Sequence, residues 1–282
     1  MHPQRATSGA GYAVTCWHTA AVPDPDLHVT ELGETGSTVA FCHGLFGQGR
    51  NWNQIGKQLA RDHRVLLVDM PNHGRSEWVD TIDYLDLADR VAGLFSADDP
   101  VTLVGHSMGG KIAMVLALRR PELVERLCVV DVSPVTYDST REFAGYIAAM
   151  RGLDLATLER RSDADDRLRD DVPNNTVRSF LLQNLRREGD SWRWQVNLEV
   201  LGDQLSELGG WPADRLSDVS PYEGRVLWVG GDRSDYVREE HAETMDRWFP
   251  RNRRVTIKGA GHWVHSEEPE TFLAVLTRFL DD

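Results

Sequence analysis

The stretch "VTLVGHSMGGKIAMVLALRR", residues 101–120, decides how the rest of the chain reads. It opens as an apolar strand, "VTLVGHS", and runs straight into the helical pattern "MGGKIAMVLALRR". Between them lies G-x-S-x-G, with Gly105 and Gly109 flanking Ser107. A turn that tight leaves no room for side chains two residues either side of the serine, so glycine is required there. Gly109 and Gly110 fall in the first helical turn, where each costs about 1 kcal/mol against alanine. Close packing of the helix on the strand accounts for that cost. The strained turn would lift the Ser107 hydroxyl above the sheet, with the positive end of the helix facing any oxyanion. Ser107 is therefore the candidate nucleophile. The plain alternative is a Gly-rich strand–helix turn with an incidental serine.

Working outward, short apolar runs alternate with helical ones. Strands are predicted at 37–44, 64–70, 101–107, 126–131, 225–231 and 253–259. Helices are predicted from "NWNQIGKQLARD", "YLDLADRVAGLFSA", "VREEHAETMDRWF" and "PETFLAVLTRFL". Continuous Val/Leu runs separated by helices mean strands buried on both faces, hence a mostly parallel sheet flanked by helices in an α/β fold. From 134 to 222 no strand-like run of comparable strength appears, and "REFAGYIAAMRGLDLATLERR" and "TVRSFLLQNLRRE" carry helical periodicity. The expected organisation is a core of 1–133 and 223–282 with a helical cap, 134–222, inserted after the strand ending at Asp131.

A chain of 282 residues, 41% apolar and 27% charged, builds a sizeable core. Its net charge of −13 argues against nucleic acid or an anionic membrane surface as partner. Cys16, Cys42 and Cys128 include no C-x-x-C pair, and the last two sit in apolar runs, which reads as buried, reduced thiols. There is no apolar run of membrane-spanning length and no signal-peptide core at the N-terminus, so a cytoplasmic location is expected.

"FCHGLFG", 41–47, follows the first strong strand. A turn there offers backbone N–H groups to the serine, and an oxyanion hole needs two. The N–H groups of Leu45 and Met108 are the candidates, with His43 satisfying loop carbonyls. "IKGAGHWVHSEEPE" holds His262 and His265 after the final strand. His262, in the Gly-rich loop, is the candidate base. The H-x-x-H spacing has no third ligand nearby, so no metal and no cofactor is expected.

"HGLFG", "VDMPNHGRS", "GHSMGGK", "PELVERL", "VVDVSPV" and "GAGHWVH" together resemble the α/β-hydrolase superfamily, and in it the YbfF-type esterases and related mitochondrial abhydrolase-domain proteins. So does "YIAAMRGLDL" and "WQVNLEVL" in the cap. The resemblance spans about 38–281 and implies an α/β-hydrolase fold and a Ser-His-Asp triad. It also bears on the acid. Most superfamily members carry it after the strand at 225–231, three residues past a glycine. Here Asp232 comes one residue after Gly231 and Asp235 four, and Asp235 is also placed to cap the next helix. YbfF-type proteins resemble those members that take the acid from the end of the preceding strand. That position is Asp131, which stands ahead of Asp235.

The function so implied is serine ester hydrolysis of short to medium acyl esters through an acyl-enzyme, on a small-molecule ester or thioester. An acyltransferase or thioesterase would use the same triad, and a non-catalytic ligand-binding module is the third reading. Phe46 and Trp263, beside the catalytic loops, are pocket candidates. Phe143, Tyr146, Phe180, Leu181, Trp192 and Trp194 in the cap are further ones, most of them expected only to join cap to core.

Overall fold

The computed structural model describes residues 27–137 and 141–282, so Cys16 lies outside the described residues. A seven-stranded sheet runs β1–β3–β2–β4–β5–β8–β9. Its strands are β1 (Val29–Leu32), β2 (Thr38–Cys42), β3 (Arg64–Val68), β4 (Val101–His106), β5 (Val124–Val130), β8 (Arg225–Gly231) and β9 (Asn252–Ile257). Only β1 is antiparallel to its neighbour; the other pairings are parallel. Every predicted strand is present. The short edge strand β1, "VTEL", is the addition: half-exposed and partly charged, it carries no long apolar signal.

Burial explains the pattern. Every residue of β2 and β4 is buried, because helices cover both faces. One side is built on α2 (Tyr84–Ala92) and α3 (Met108–Arg119), the other on α1 (Asn53–Leu59) and the last helix (Pro269–Asp281). Cys42 and Cys128 are free and buried inside β2 and β5, and burial holds the Cys42 thiol up to about 12.

Among the described residues, the segment between β5 and β8 adds no strand to the main sheet. It contains α4 (Arg141–Arg151), α5 (Arg161–Arg167), α6 (Asn175–Leu182), α7 (Leu198–Asp203) and α8 (Leu205–Gly209). It is not wholly helical as expected, for β6 (Leu185–Glu188) and β7 (Ser191–Trp194) form an antiparallel hairpin. Helix α6 stops at Leu182, and Leu185 and Trp194 pair as the buried rung of the hairpin. Gly189, at φ 60, supplies the turn. The other rungs are charged or polar, so the run carried no strand signal. The segment is stitched to the core by polar contacts: Gln48 Nε2 donates to Asn184 Oδ1 (2.7 Å), Asn184 Nδ2 to the Phe46 carbonyl (2.7 Å) and Tyr84 OH to the Leu208 carbonyl (2.7 Å).

Candidate active site

Ser107 sits between β4 and α3 with φ 53 and ψ −119, a left-handed conformation unusual for a residue with a side chain. The turn is as crowded as the sequence implies. A Cβ on Gly105 would lie 2.4 Å from the Gly109 carbonyl oxygen, and one on Gly109 would lie 2.4 Å from that of Cys42. Any side chain at either place would push the helix off the strand. The Ser107 amide donates to the Val130 carbonyl at 3.0 Å, which ties the turn to the end of β5.

That strand end supplies the next group. Asp131 is fully buried and also left-handed, with φ 50. Its Oδ2 accepts a hydrogen bond from His262 Nδ1 at 2.7 Å, and His262 Nε2 lies 3.1 Å from Ser107 Oγ. With Nδ1 donating to the carboxylate, Nε2 is left to accept from the serine hydroxyl. A buried carboxylate without partners would be costly. Asp131 has them: besides His262, its Oδ1 accepts from the Gly231 amide (3.1 Å) and its Oδ2 from the Ser234 hydroxyl. The His262 ring is stacked on Tyr236, with centroids 4.2 Å apart. Its backbone carbonyl takes a hydrogen bond from His106 Nε2 at 2.8 Å. Burial, and then the nearby His262 and His265 rings, hold His106 well below an ordinary histidine, so it is a neutral bracket.

The rival acid is elsewhere. The Asp235 side chain is 90% exposed and its ion-pair partner is Arg238, at 3.8 Å. It is neither a second carboxylate beside the histidine nor a helix cap, because the next helical turn, Glu239–His241, starts after Arg238. An aspartate on an outward-turned loop has water as its best partner and no reason to approach the imidazole. Asp232 braces the histidine loop instead, accepting from the Gly259 amide at 2.8 Å. Ser234 and Tyr236, which do touch the site, carry no charge, and a search for acids passes over them.

Among the described residues the N–H groups of Leu45 and Met108 have no hydrogen-bond partner, whereas the neighbouring Phe46 N–H donates to His73 Nε2 at 3.2 Å. Two buried imidazoles shape this loop. His43 donates from Nδ1 to the Gly44 carbonyl (2.8 Å) and accepts the Met70 N–H at Nε2 (2.9 Å). His73 donates from Nδ1 to the Pro71 carbonyl at 2.9 Å. Burial lowers them to about 4 and about 3, so each stays neutral with one donor and one acceptor in use. This is the work of "VDMPNHGRS", a motif to which the sequence alone assigned no role.

Two cavities meet at Ser107. One is lined by His106, His262 and Trp263 from the core and by Phe143, Tyr146, Phe180 and Leu181 from the inserted segment. The other is lined by Met108, Lys111, Val132, Tyr137, Leu205 and Leu208. Leu45 and Phe143 border both, and Phe46 borders the first. Trp194 and Trp192 line neither. Trp194 is buried, its indole donating to the Met150 carbonyl at 3.2 Å, and the Trp192 indole donates to Leu158 at 3.0 Å. Both indoles are thus satisfied within the inserted segment. Phe180 and Trp263 also border a third cavity, open to the surface.

Lys111 and His265 complete the surroundings. Lys111 is buried, donates to the Gly209 and Gly210 carbonyls at 2.6 and 2.5 Å, and lies 4.8 Å from the Tyr137 ring centre. Burial pulls its ammonium down to about 7. His265 stacks on Trp52 with centroids 4.0 Å apart, and burial and then His262 lower it to about 3. It is a core aromatic rather than a second base.

Comparison with known proteins shows the family. Residues 39–275 match the model of the Alpha/beta hydrolase family. The sn-1-specific diacylglycerol lipase ABHD11 of Mus musculus is 38% identical over 250 residues, covering 86% of this chain and 80% of the lipase. Esterase YbfF of Escherichia coli is 32% identical over 248 residues, covering 87% and 94%. Among solved structures, a marine microorganism esterase superposes with a TM-score of 0.86 at 30% identity, covering 90% of this chain and 99% of that one.

Proposed function

From a chain that belongs to the α/β-hydrolase family, and in it to the YbfF-type esterases related to abhydrolase-domain proteins, we infer a serine carboxylic ester hydrolase acting through an acyl-enzyme. Its relatives make it a hydrolase of the esterase and lipase kind, with small-molecule esters as substrates. The observation that carries the finer reading is the single relay from buried Asp131 through His262 to Ser107, at 2.7 and 3.1 Å.

In that reading Ser107 Oγ attacks the acyl carbonyl as His262 Nε2 takes its proton. Asp131 keeps the imidazole in the right tautomer and balances its charge. The oxyanion takes the free N–H groups of Leu45 and Met108. His262 then gives its proton to the leaving oxygen, and the same nitrogen activates water to clear the acyl-enzyme.

Proton delivery also orients the substrate. The leaving group must depart beside His262, hence into the lobe that His262 and Trp263 line and that continues to the surface. The acyl chain is left with the lobe under Met108, Leu205 and Leu208. A lobe lined mostly by apolar side chains suits short to medium acyl chains. The inserted segment acts as the cap over both lobes. A thioesterase or acyltransferase would share every step up to the acyl-enzyme, and the surface-open leaving-group side would admit an acceptor larger than water.

The test is hydrolysis of p-nitrophenyl esters from acetyl to dodecanoyl, with Ser107→Ala as the blank. Turnover that peaks at one chain length and falls by about 10⁴-fold or more in the variant supports the esterase. Acyl-enzyme that forms with a burst but resists water and yields to added alcohol or thiol moves the assignment to acyl transfer. Absence of any serine-dependent turnover overturns both.

A further inference from the structure

We propose that Asn184, in the inserted segment, is a positioning residue for the oxyanion donor Leu45, and that it acts through a head-to-tail chain of amides. The inference rests on the reading of Ser107 and Leu45 given above.

The turn that carries Leu45 is held in series. The Leu45 N–H and the Gly44 carbonyl belong to one planar peptide unit, so whatever fixes the carbonyl fixes the N–H. That carbonyl accepts from the Gly47 amide at 2.9 Å and from His43 Nδ1 at 2.8 Å. The Gly47 amide shares its own peptide unit with the Phe46 carbonyl, which accepts from Asn184 Nδ2 at 2.7 Å. Gln48 Nε2 in turn donates to Asn184 Oδ1 at 2.7 Å. Four amides thus point one way: Gln48, Asn184, the Phe46–Gly47 peptide and the Gly44–Leu45 peptide. The Leu45 N–H, without a partner among the described residues, is the open end. Each bond in such a chain polarises the next, so the last N–H is a stronger donor than an isolated one. Asn184 is fully buried, where the low dielectric preserves the effect.

The Asn184 amide serves the chain in one orientation. Its Nδ2 faces two carbonyls, those of Phe46 and, at 3.3 Å, Leu181, while its Oδ1 faces a donor. Its backbone is fixed as well: its N–H donates to the Leu181 carbonyl at 3.0 Å, and its carbonyl accepts the Gln195 N–H at 2.8 Å. The turn needs the hold, because Phe46 lies at φ 61, a conformation uncommon for a residue with a side chain. His73 takes the Phe46 N–H on one side and Asn184 its carbonyl on the other. A donor built on the core is therefore aimed from the inserted segment. Gln183 supplies the contrast: its Oε1 accepts from Asn51 Nδ2 at 2.8 Å, a bond between segment and core that lies outside the chain of amides.

The experiment compares wild type with Asn184→Leu, Gln48→Leu and Gln183→Leu, each checked for folding by thermal melt. One readout is steady-state hydrolysis of a p-nitrophenyl ester. The second is affinity for a trifluoromethyl ketone with the same acyl chain. There Ser107 Oγ bonds to the ketone carbon, the C=O pair moves onto oxygen as an oxyanion, and the serine proton passes to His262. The third is the amide resonances of Leu45 and Gly47, which need no turnover. Asn184→Leu is expected to lower kcat about tenfold at unchanged KM, to weaken the ketone by a similar factor, and to move both resonances. Gln48→Leu, one amide further back, should do the same by about threefold. Gln183→Leu should lower the melting temperature and leave kcat within about twofold of wild type. A folded Asn184→Leu that matches wild type in kcat, ketone affinity and resonances overturns the proposal. Equal losses in Gln183→Leu also overturn it, since the effect would then be one of anchoring the segment. If Asn184→Leu does not fold, Gln48→Leu decides on the same readouts. If wild type neither hydrolyses an ester nor takes up the ketone, the esterase reading fails, while the resonances still decide whether Asn184 holds the Leu45 amide.

Discussion

The loops after β5 and β8 each carry an aspartate at the same edge of the sheet, and they could hardly be treated more differently. Asp131 is fully buried, left-handed and bonded through both oxygens. Asp235 is 90% exposed and faces an arginine in solvent. Residue type is the same; what differs is whether the backbone aims the group inward and whether neighbours compensate its burial. The lesson repeats in other pairs: Trp263 borders the cavity while Trp194 is bonded inside the cap segment, and His262 faces the serine while His265 stacks on Trp52.

Each pair can be broken by experiment, and the aspartates give the largest effect. Asp131→Asn should keep the fold but lower kcat about 10⁴-fold, because the amide no longer holds the imidazole in the right tautomer. Asp235→Asn should stay within about twofold of wild type. Reversed outcomes in an ester assay would move the acid to the β8 loop.

The tryptophans separate stability from substrate handling. Trp194→Ala should destabilise the fold by about 3–5 kcal/mol, by cavity formation and an orphaned Met150 carbonyl, while leaving the acyl-length profile where it was. Trp263→Ala should do the opposite: a smaller change in urea midpoint, and a several-fold higher KM for esters with bulky leaving groups.

The histidines give a smaller, graded effect. His265 has a folded value of about 3 against an ordinary 6.5. As pH falls below 6.5 the unfolded chain takes up a proton that the native ring refuses, so stability is lost through that window and is constant above it. His265→Phe keeps the stack on Trp52 and removes the refusal. It should flatten the fall of unfolding free energy between pH 6.5 and 4 by about 1.4 kcal/mol per pH unit, measured by urea titration. An unchanged slope would mean that the ring is charged in the native state.

How much of this was legible in the sequence follows from what kind of constraint was at work. Gly105, Ser107 and Gly109 are legible because they answer a steric demand within five residues. The parallel strands are legible because burial on both faces imposes continuous apolar runs. Asp131 could be favoured but not fixed, since its advantage over Asp235 is a matter of φ and of partners a hundred residues away. Tyr236 and His106 had no signal, because an aromatic beside a loop is ordinary text until the chain is folded, whereas Ser234 stands three residues past Gly231, where most of the superfamily carry the acid. The hairpin β6–β7 was hidden for a different reason: with "LRRE" facing "SWRW", only one rung is apolar on both strands.

One feature of the topology bears on how the protein comes to be. The serine and histidine are 155 residues apart, the acid and histidine 131, and the inserted segment lies between them in the chain. On a ribosome, the elbow at Ser107 and the strand ending in Asp131 emerge long before β8 and β9 exist to carry the loop with His262. Such distant pairings are slow to close, because the entropy of a long loop must be overcome before the contact is gained. With the proposed triad, the growing chain would be inert towards esters until β9 has docked at the far edge of the sheet. Hydrolysis by this protein would be a readout of completed synthesis and folding, and its appearance during refolding would time the last strand.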